Sequence, residues 1–302
     1  MSPIHFLLAR QKNMWYDINK KTEKEMWGYL TMKKMPVGYQ LYSAREMVAQ
    51  DLQGVLAALK EMGYDGVEFA GFFHYTAEEI AKMLQEAGLK AVSSHVPLAS
   101  IEKDMAGTIA FHKAIGCNTI VVPYLEDERR PGKPAFAKVM QSIYTFGQMC
   151  KAEGMRLLYH NHDFEFVQFS GMYGLDFLYD ATPCDLLQTE IDVCWVKYAG
   201  EDPAAYLRKY AGRAPIVHLK DYVGRKGEGT PYGLIGQAKE ADAVAFEFRP
   251  FGHGCQDAKA VVEAGIDAGA EWFIIEQDQW YQRTPMEAAQ MSMDTLKEIG
   301  LK

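Results

Sequence analysis

From Pro36 onward the chain alternates short apolar runs with longer amphipathic stretches. Val37-Gly38-Tyr39-Gln40-Leu41-Tyr42 reads as a strand, and Val48, Leu52, Val55, Leu56, Leu59 and Met62 follow at the three-and-four spacing of an amphipathic helix. Gly63 stands where a left-handed C-cap would close that helix. Gly66-Val67-Glu68-Phe69 reads as the next strand, and the helix after it opens with Thr76 and Glu79 at capping-box spacing and ends at Gly88. The same unit then recurs, with a glycine ending each helix and a short strand a few residues on. It appears at Gly88 before Ala91-Val92-Ser93, at Gly116 before Thr119-Ile120-Val121-Val122, and at Gly154 before Leu157-Leu158-Tyr159. Leu187 to Asp192, Ile216-Val217-His218 and Trp272 to Glu276 continue the series. The last helix starts at Thr284-Pro285-Met286-Glu287, a second capping box with proline in its first turn.

Strands separated by helices imply parallel pairing through right-handed crossovers, and the eight units counted along the sequence close into a single (β/α)8 TIM barrel of the α/β class. An open doubly wound sheet is disfavoured, because Tyr42-Ser43-Ala44-Arg45 stands after the first strand where a Gly-rich phosphate loop would be needed. The barrel domain is expected over 36–302. Residues 1–35 do not share its rhythm, carry the charge run Lys20 to Glu25, and are read as an extension without an assigned role. About fifty residues between His218 and Trp272 also break the pattern, with a Gly-rich run from Gly224 to Gly236 and a strand-like Ala245-Phe246-Glu247-Phe248. Insertions of this kind at the catalytic face of a barrel are usually functional loops.

Composition narrows the partners more than the fold. Of 302 residues, 48% are hydrophobic and 24% charged, enough apolar material for a large core. No apolar run approaches the roughly 20 residues that cross a bilayer, and the opening segment makes a poor signal peptide, so a cytoplasmic protein without a membrane partner is expected. A net charge of −8 argues against nucleic acid and leaves a small-molecule substrate, with assembly into a homo-oligomer open. The five cysteines lack CxxC spacing and read as buried small hydrophobes.

The densest chemistry lies at Leu157 to Phe166, where an apolar run turns abruptly into His160, Asn161, His162, Asp163 and Glu165. In a barrel, side chains at the carboxyl ends of the strands share one mouth. The later strand ends then bring Glu165 or His160 from the fifth strand together with Asp192, His218 and Glu276 from the sixth, seventh and eighth. Carboxylates with one or two imidazoles suit Mn²⁺, Mg²⁺, Co²⁺ or Zn²⁺. A lone Asp at a strand end is more often a helix cap and a lone Glu a surface charge, so the joint arrangement carries the inference.

Four segments together resemble the sugar phosphate isomerase/epimerase family of xylose isomerase-like barrels, which also contains inosose dehydratases and endonuclease IV. They are Leu158 to Phe166, Ile191-Asp192-Val193-Cys194-Trp195, Val217-His218-Leu219-Lys220-Asp221 and Ile275-Glu276-Gln277-Asp278. The resemblance covers residues 36–302 and implies a divalent ion, Mn²⁺ first, held in the order Glu, Asp, His, Glu and bridging two oxygens of a sugar. Asp192, His218 and Glu276 match directly. Many relatives read Leu-Glu-Asn-His at the fifth strand, whereas this chain reads Tyr159-His160-Asn161-His162. His160 thus stands at the glutamate's place, with Glu165 as the alternative carboxylate.

The function so implied is a metal-dependent isomerase or epimerase that removes a proton next to a carbonyl through a metal-stabilised enediolate, with His162, Glu276 or Glu165 as base. Loss of a β-substituent from the same enediolate gives the alternative, a lyase of the inosose dehydratase type or one that cleaves a 3-oxo-glycoside. Lys220 would neutralise the enediolate or pair with Asp221 or Glu190. Glu68, His95 and Gln40 would meet the substrate from earlier strands, His253 would close over the site, and Trp195, Phe164, Trp280 and Tyr281 would wall it. DNA repair of the endonuclease IV type fails on charge and on ligand number, and a non-catalytic sugar-binding barrel would keep the pocket without the metal.

Overall fold

The computed structural model describes residues 32–224 and 246–302. Most of the extension expected at 1–35, and residues 225–245 of the insertion with nearly all of its Gly-rich run, lie outside the described residues. Eight parallel strands close into a barrel: β1 (Val37–Gln40), β2 (Gly66–Ala70), β3 (Lys90–His95), β4 (Thr119–Val122), β5 (Arg156–His160), β6 (Gln188–Asp192), β7 (Ile216–Leu219) and β8 (Trp272–Ile275). β1 pairs with both β2 and β8, which completes the cylinder.

The local signals act as the sequence suggests. Thr76 and Glu79 form a reciprocal capping box, as do Thr284 and Glu287, and Gly63 and Gly88 end their helices with positive φ of 105° and 65°. The helix expected to run continuously from Val48 to Met62 is broken at Asp51. That residue ends Arg45–Gln50 and starts Leu52–Met62 by accepting the Gly54 N–H at 2.9 Å. The strand-like stretch in the insertion is Phe246–Arg249, which pairs antiparallel with Asp221–Gly224 as a ribbon outside the barrel.

Two apolar layers hold the cylinder. Outward-facing Val67, Phe69, Val122, Tyr159, Val217 and Phe273 pack against helix residues such as Leu56, Ile143, Phe146 and Leu296. Each such side chain contributes about 1.5–3 kcal/mol on burial. Inside the barrel Val92, Val121, Leu158, Ile216 and Ile274 form a separate plug. Gly38 and Gly66 make room for it, since a Cβ at either would sit 2.6 Å from Ile274 Cδ1 or Val92 Cγ2. The plug is an apolar floor, and the histidines and carboxylates described below lie beyond it toward the carboxyl ends of the strands.

Candidate metal centre and active-site cavity

Strand register explains which polar groups meet. His160 at the end of β5 lies beside Glu190 of β6, and two residues further along β6 Asp192 lies beside His218 of β7. Period-two alternation therefore turns Glu190 and Asp192 to the same interior face as His160 and His218. On the other side of the barrel Glu68 of β2 lies beside Gln40 of β1. β3 carries one extra residue, because Ala91 pairs with Val67 while Ser93 pairs with Glu68. This bulge resets the alternation, and His95 points inward although it stands three residues after inward-facing Val92.

The upper group consists of His160, Asp192, His218 and Glu276, whose donor atoms all lie within 4.8 Å of one another. Asp192 has two separate tasks. Its Oδ1 caps the helix Val193–Ala199 by accepting the N–H groups of Cys194 and Trp195 at 2.7 and 3.2 Å. Its Oδ2 is buried without a hydrogen bond and faces His160 Nε2 at 3.7 Å. The cap fixes the carboxylate's orientation, and Asn161 adds to this by accepting the Asp192 N–H at 3.0 Å. Burial raises the Asp192 pKa to about 7, against the opposing pull of Lys220. His218 Nδ1 lies 3.1 Å from Glu276 Oε2.

Beneath it lies a second group that sequence reasoning had not assembled. Glu190 Oε2 faces His95 Nε2 at 2.7 Å, His160 Nδ1 at 3.1 Å and His218 Nε2 at 3.2 Å. Glu68 Oε1 faces His218 Nε2 at 2.7 Å and His95 Nε2 at 3.0 Å and accepts from Gln40 Nε2, while its Oε2 accepts from Ser93 Oγ. Burial works against charge on His95 and His218. The two glutamates outweigh it, raising His95 to about 10 and holding His218 well above the usual imidazole range. His160 goes the other way, held well below that range by burial and by its cationic neighbours His218 and His95.

Lys220 follows β7 and is almost wholly buried, with Nζ 2.7 Å from Asp278, 3.1 Å from Glu276 and 3.8 Å from Asp192. Burial opposes its charge, but those carboxylates prevail and keep its pKa well above the ordinary lysine value. The expected pairing with Asp221 or Glu190 is not what forms. Asp221 is occupied by the backbone N–H groups of Tyr222, Gly252, Gly254, Cys255 and Gln256, and so organises the loop before the helix Ala258–Ala268. Above both groups opens a cavity of about 510 Å³, lined on its polar side by His95, His160, His162, Lys220, Glu276 and Asp278. Burial, followed by the Lys220 charge, holds His162 well below the usual imidazole range, so its ring is neutral.

Several expected residues lie elsewhere. Glu165 does not converge with the donors, because the chain after β5 enters a short turn, Phe164–Phe166, that folds the side chain back. Its carboxylate accepts the Tyr159 hydroxyl at 2.7 Å and the His162 N–H at 2.9 Å, and burial raises its pKa to about 8. His160 is the β5 member of the upper group. Glu68 and His95, expected to touch substrate, are engaged in the lower group, with His95 alone of the two reaching the cavity wall. His253 is exposed, its N–H bonded to Pro250 O, and it does not line the cavity. Trp195 is fully buried behind Lys220, whose Nζ stands 5.3 Å from its ring centroid. Trp280 packs under Arg45, and the Tyr281 hydroxyl accepts the Phe248 N–H. Phe164 stacks parallel to His162 at 5.5 Å. Glu190 and Asp278 were the residues given too little weight. The alternation Gln188, Glu190, Asp192 was the signal for the first of them.

Comparison with known proteins agrees with this architecture. The model of the xylose isomerase-like TIM barrel family matches residues 56–299. Among solved structures, a sugar phosphate isomerase/epimerase from Parabacteroides distasonis ATCC 8503 is 20% identical with a TM-score of 0.70, covering 88% of this chain and 94% of its own. The IolI protein, solved with a bound zinc atom, is 16% identical with a TM-score of 0.66 over 88% and 98%. The probable 3-DHS dehydratase AsbF from Bacillus anthracis is 13% identical with a TM-score of 0.66 over 87% and 99%. At these identities the likeness is one of fold. No curated protein matches the sequence. Among the described residues no helix is long and apolar enough to cross a membrane.

Proposed function

We propose, from the premise that this chain belongs to the xylose isomerase-like TIM barrel family, that it is a metal-dependent isomerase or epimerase of a sugar or keto-sugar. The observation that carries the proposal is the convergence of His160, Asp192, His218 and Glu276 beside a cavity that His160 and Glu276 line together with His162 and Lys220. The donor set fits a divalent ion. Two imidazoles and two carboxylates suit Mn²⁺, Co²⁺ or Zn²⁺, and the buried Asp192 Oδ2 lacks any hydrogen bond that an ion would have to displace. Such an ion supplies Lewis-acid polarisation of a carbonyl and its neighbouring hydroxyl.

The chain's own groups do the rest. His162, kept neutral by its surroundings, is the base that takes the proton next to the carbonyl, and Glu276 is the alternative on the same cavity wall. Lys220, a permanent cation with no solvent of its own, meets the negative charge that develops on the substrate oxygen. The apolar plug below and the aromatic wall of Trp195 and Phe248 beside Lys220 exclude water from that charge.

A lyase acting on an oxidised sugar, either an inosose-type dehydratase or an enzyme that cleaves a 3-oxo-glycoside, is the second reading. The neutral His162 favours it, because a weakly basic imidazole suits a proton already acidified by an adjacent ketone. Ketohexoses, inososes and 3-oxo-glycosides incubated in D₂O with Mn²⁺ and followed by NMR test both. Deuterium entering next to the carbonyl with the skeleton intact supports the isomerase, and release of water or an aglycone supports the lyase. Turnover of an accepted substrate with no exchange and no elimination would overturn the lyase and remove the support for His162 or Glu276 as an exchanging base.

A further inference from the structure

The two buried groups share His160 and His218, yet they use opposite nitrogens of each ring. Upward, His160 presents Nε2 to Asp192 at 3.7 Å and His218 presents Nδ1 to Glu276 at 3.1 Å. Downward, His160 turns Nδ1 to Glu190 at 3.1 Å, and His218 turns Nε2 to Glu68 at 2.7 Å and to Glu190 at 3.2 Å. We propose that Glu190 is a positioning residue that fixes the tautomer of His160, so that a divalent ion is held by the upper group through His160 Nε2, and not by the lower group. The inference rests on the metal-dependent reading above.

An ionised carboxylate only accepts hydrogen bonds. A ring nitrogen facing one at these distances therefore carries its hydrogen, and the lone pair of a neutral imidazole stands on the opposite nitrogen. His160 meets this condition, its Nε2 facing Asp192 Oδ2 across 3.7 Å without a hydrogen bond, whereas His218 has a carboxylate at each nitrogen, Glu276 at Nδ1 and Glu68 at Nε2, so the rule sets the tautomer of His160 alone. Metal-bound imidazoles are commonly held by such a carboxylate on the far nitrogen, which sets ring orientation and raises ligand basicity.

His95 serves as the crossbar. Its Nε2 sits between Glu190 Oε2 at 2.7 Å and Glu68 Oε1 at 3.0 Å, and its ring lies nearly parallel to that of His218 with centroids 5.3 Å apart. It ties the two acids to each other and leaves them aimed at the shared rings. An ion in the lower group would instead have to take the hydrogens from His95 Nε2, His160 Nδ1 and His218 Nε2. Glu68, fully buried, would then keep only Gln40 and Ser93 as donors. Glu190 Oε1 has no hydrogen bond, so the lower group is the position that competes and the test must separate the two.

Protein with ¹⁵N-labelled histidine, loaded with Zn²⁺, is to be assigned by long-range ¹H–¹⁵N spectra. Coordination at His160 Nε2, with the hydrogen kept on Nδ1 and His95 uncoordinated, is the expected result. Zn²⁺ affinity by chelator competition should fall roughly 10–100-fold in Glu190→Leu and be largely restored in Glu190→Gln, whose carboxamide oxygen still accepts from His160. Thermal unfolding of each metal-free variant shows whether the fold is kept. If the leucine variant does not fold, the nitrogen assignment in the native chain decides alone. Coordination through His160 Nδ1, or unchanged affinity in a folded Glu190→Leu, overturns the inference and leaves the metal-dependent reading standing. Failure to bind Zn²⁺, Mn²⁺ or Co²⁺ at all overturns both.

Discussion

Glu165 offers a sharp test because it is a buried acid held by neutral donors and belongs to neither group of converging histidines and carboxylates. Its carboxyl pKa rises from an ordinary 4.5 to about 8, mainly through burial, with the Tyr159 hydroxyl and the His162 N–H pulling the other way. The folded chain therefore holds a proton that the unfolded chain releases. Stability from this group is fully present below pH 4.5 and is lost as pH rises through about 8. At about 1.4 kcal/mol per unit the integrated effect is about 5 kcal/mol, an upper figure that local relaxation reduces. Glu165→Gln removes the titration and keeps the contacts, since its oxygen accepts the His162 N–H and its amide donates to the Tyr159 oxygen. Urea unfolding of both proteins from below pH 4.5 to above pH 8 should show the variant gaining on the native chain through that window and levelling above it. Subtracting the two curves cancels every other titrating group. A flat difference curve would refute the buried-acid account, and a large loss of Mn²⁺ affinity in the variant would put Glu165 back among the donors.

Three further outcomes follow from the same geometry. Asp192→Ala and His218→Ala each remove a donor from the upper group, so elemental analysis of chelator-free preparations should find about one divalent ion per native chain and almost none in either variant. Lys220→Met leaves Asp278 buried without its cation at 2.7 Å and takes from Glu276 one of the two it faces, His218 being the other, and denaturation of the metal-free protein should show a loss of about 3–5 kcal/mol. His160→Glu adds a carboxylate to the upper group, so competition experiments should show preference moving from Zn²⁺ toward Mn²⁺ and Mg²⁺ by roughly tenfold or more. An unchanged ratio would mean that His160 does not touch the ion.

What was legible in the sequence is what obeys a short local rule. The eight strand-and-helix units could be read because most of the helices that lead into a barrel strand end at or just before a glycine with positive φ and each strand is a brief apolar run. Asp192, His218 and Glu276 could be read because each lies an even number of residues beyond an interior apolar position or a strand partner of one, as His218 does from Ile216 and Glu276 from Ile274. Glu190 obeys the same rule, two residues before Asp192, and needed only the alternation carried one step back.

The residues that resisted are those where alternation stops or resets. His95 stands an odd number of places after Val92, so the period-two rule alone turns it outward. The extra residue of the β3 bulge reverses that, and nothing in Ala91-Val92-Ser93-Ser94 announces it. Glu165 lies beyond the end of β5, where the backbone leaves the sheet and its direction is set by a side chain of the strand it has just left. Tyr159 belongs to the outer core, and its hydroxyl, bonded to Glu165 at 2.7 Å, fixes where the following turn can go. A carboxylate three residues past a histidine pair reads as a ligand from spacing alone, whereas its destination depends on which face of β5 the tyrosine occupies. Because His160 and Tyr159 are neighbours on one strand they must face opposite ways, so the inward histidine and the outward-anchored Glu165 are two consequences of a single register. Slipping β5 by one residue would exchange them, and with them the chemistry of the barrel's floor.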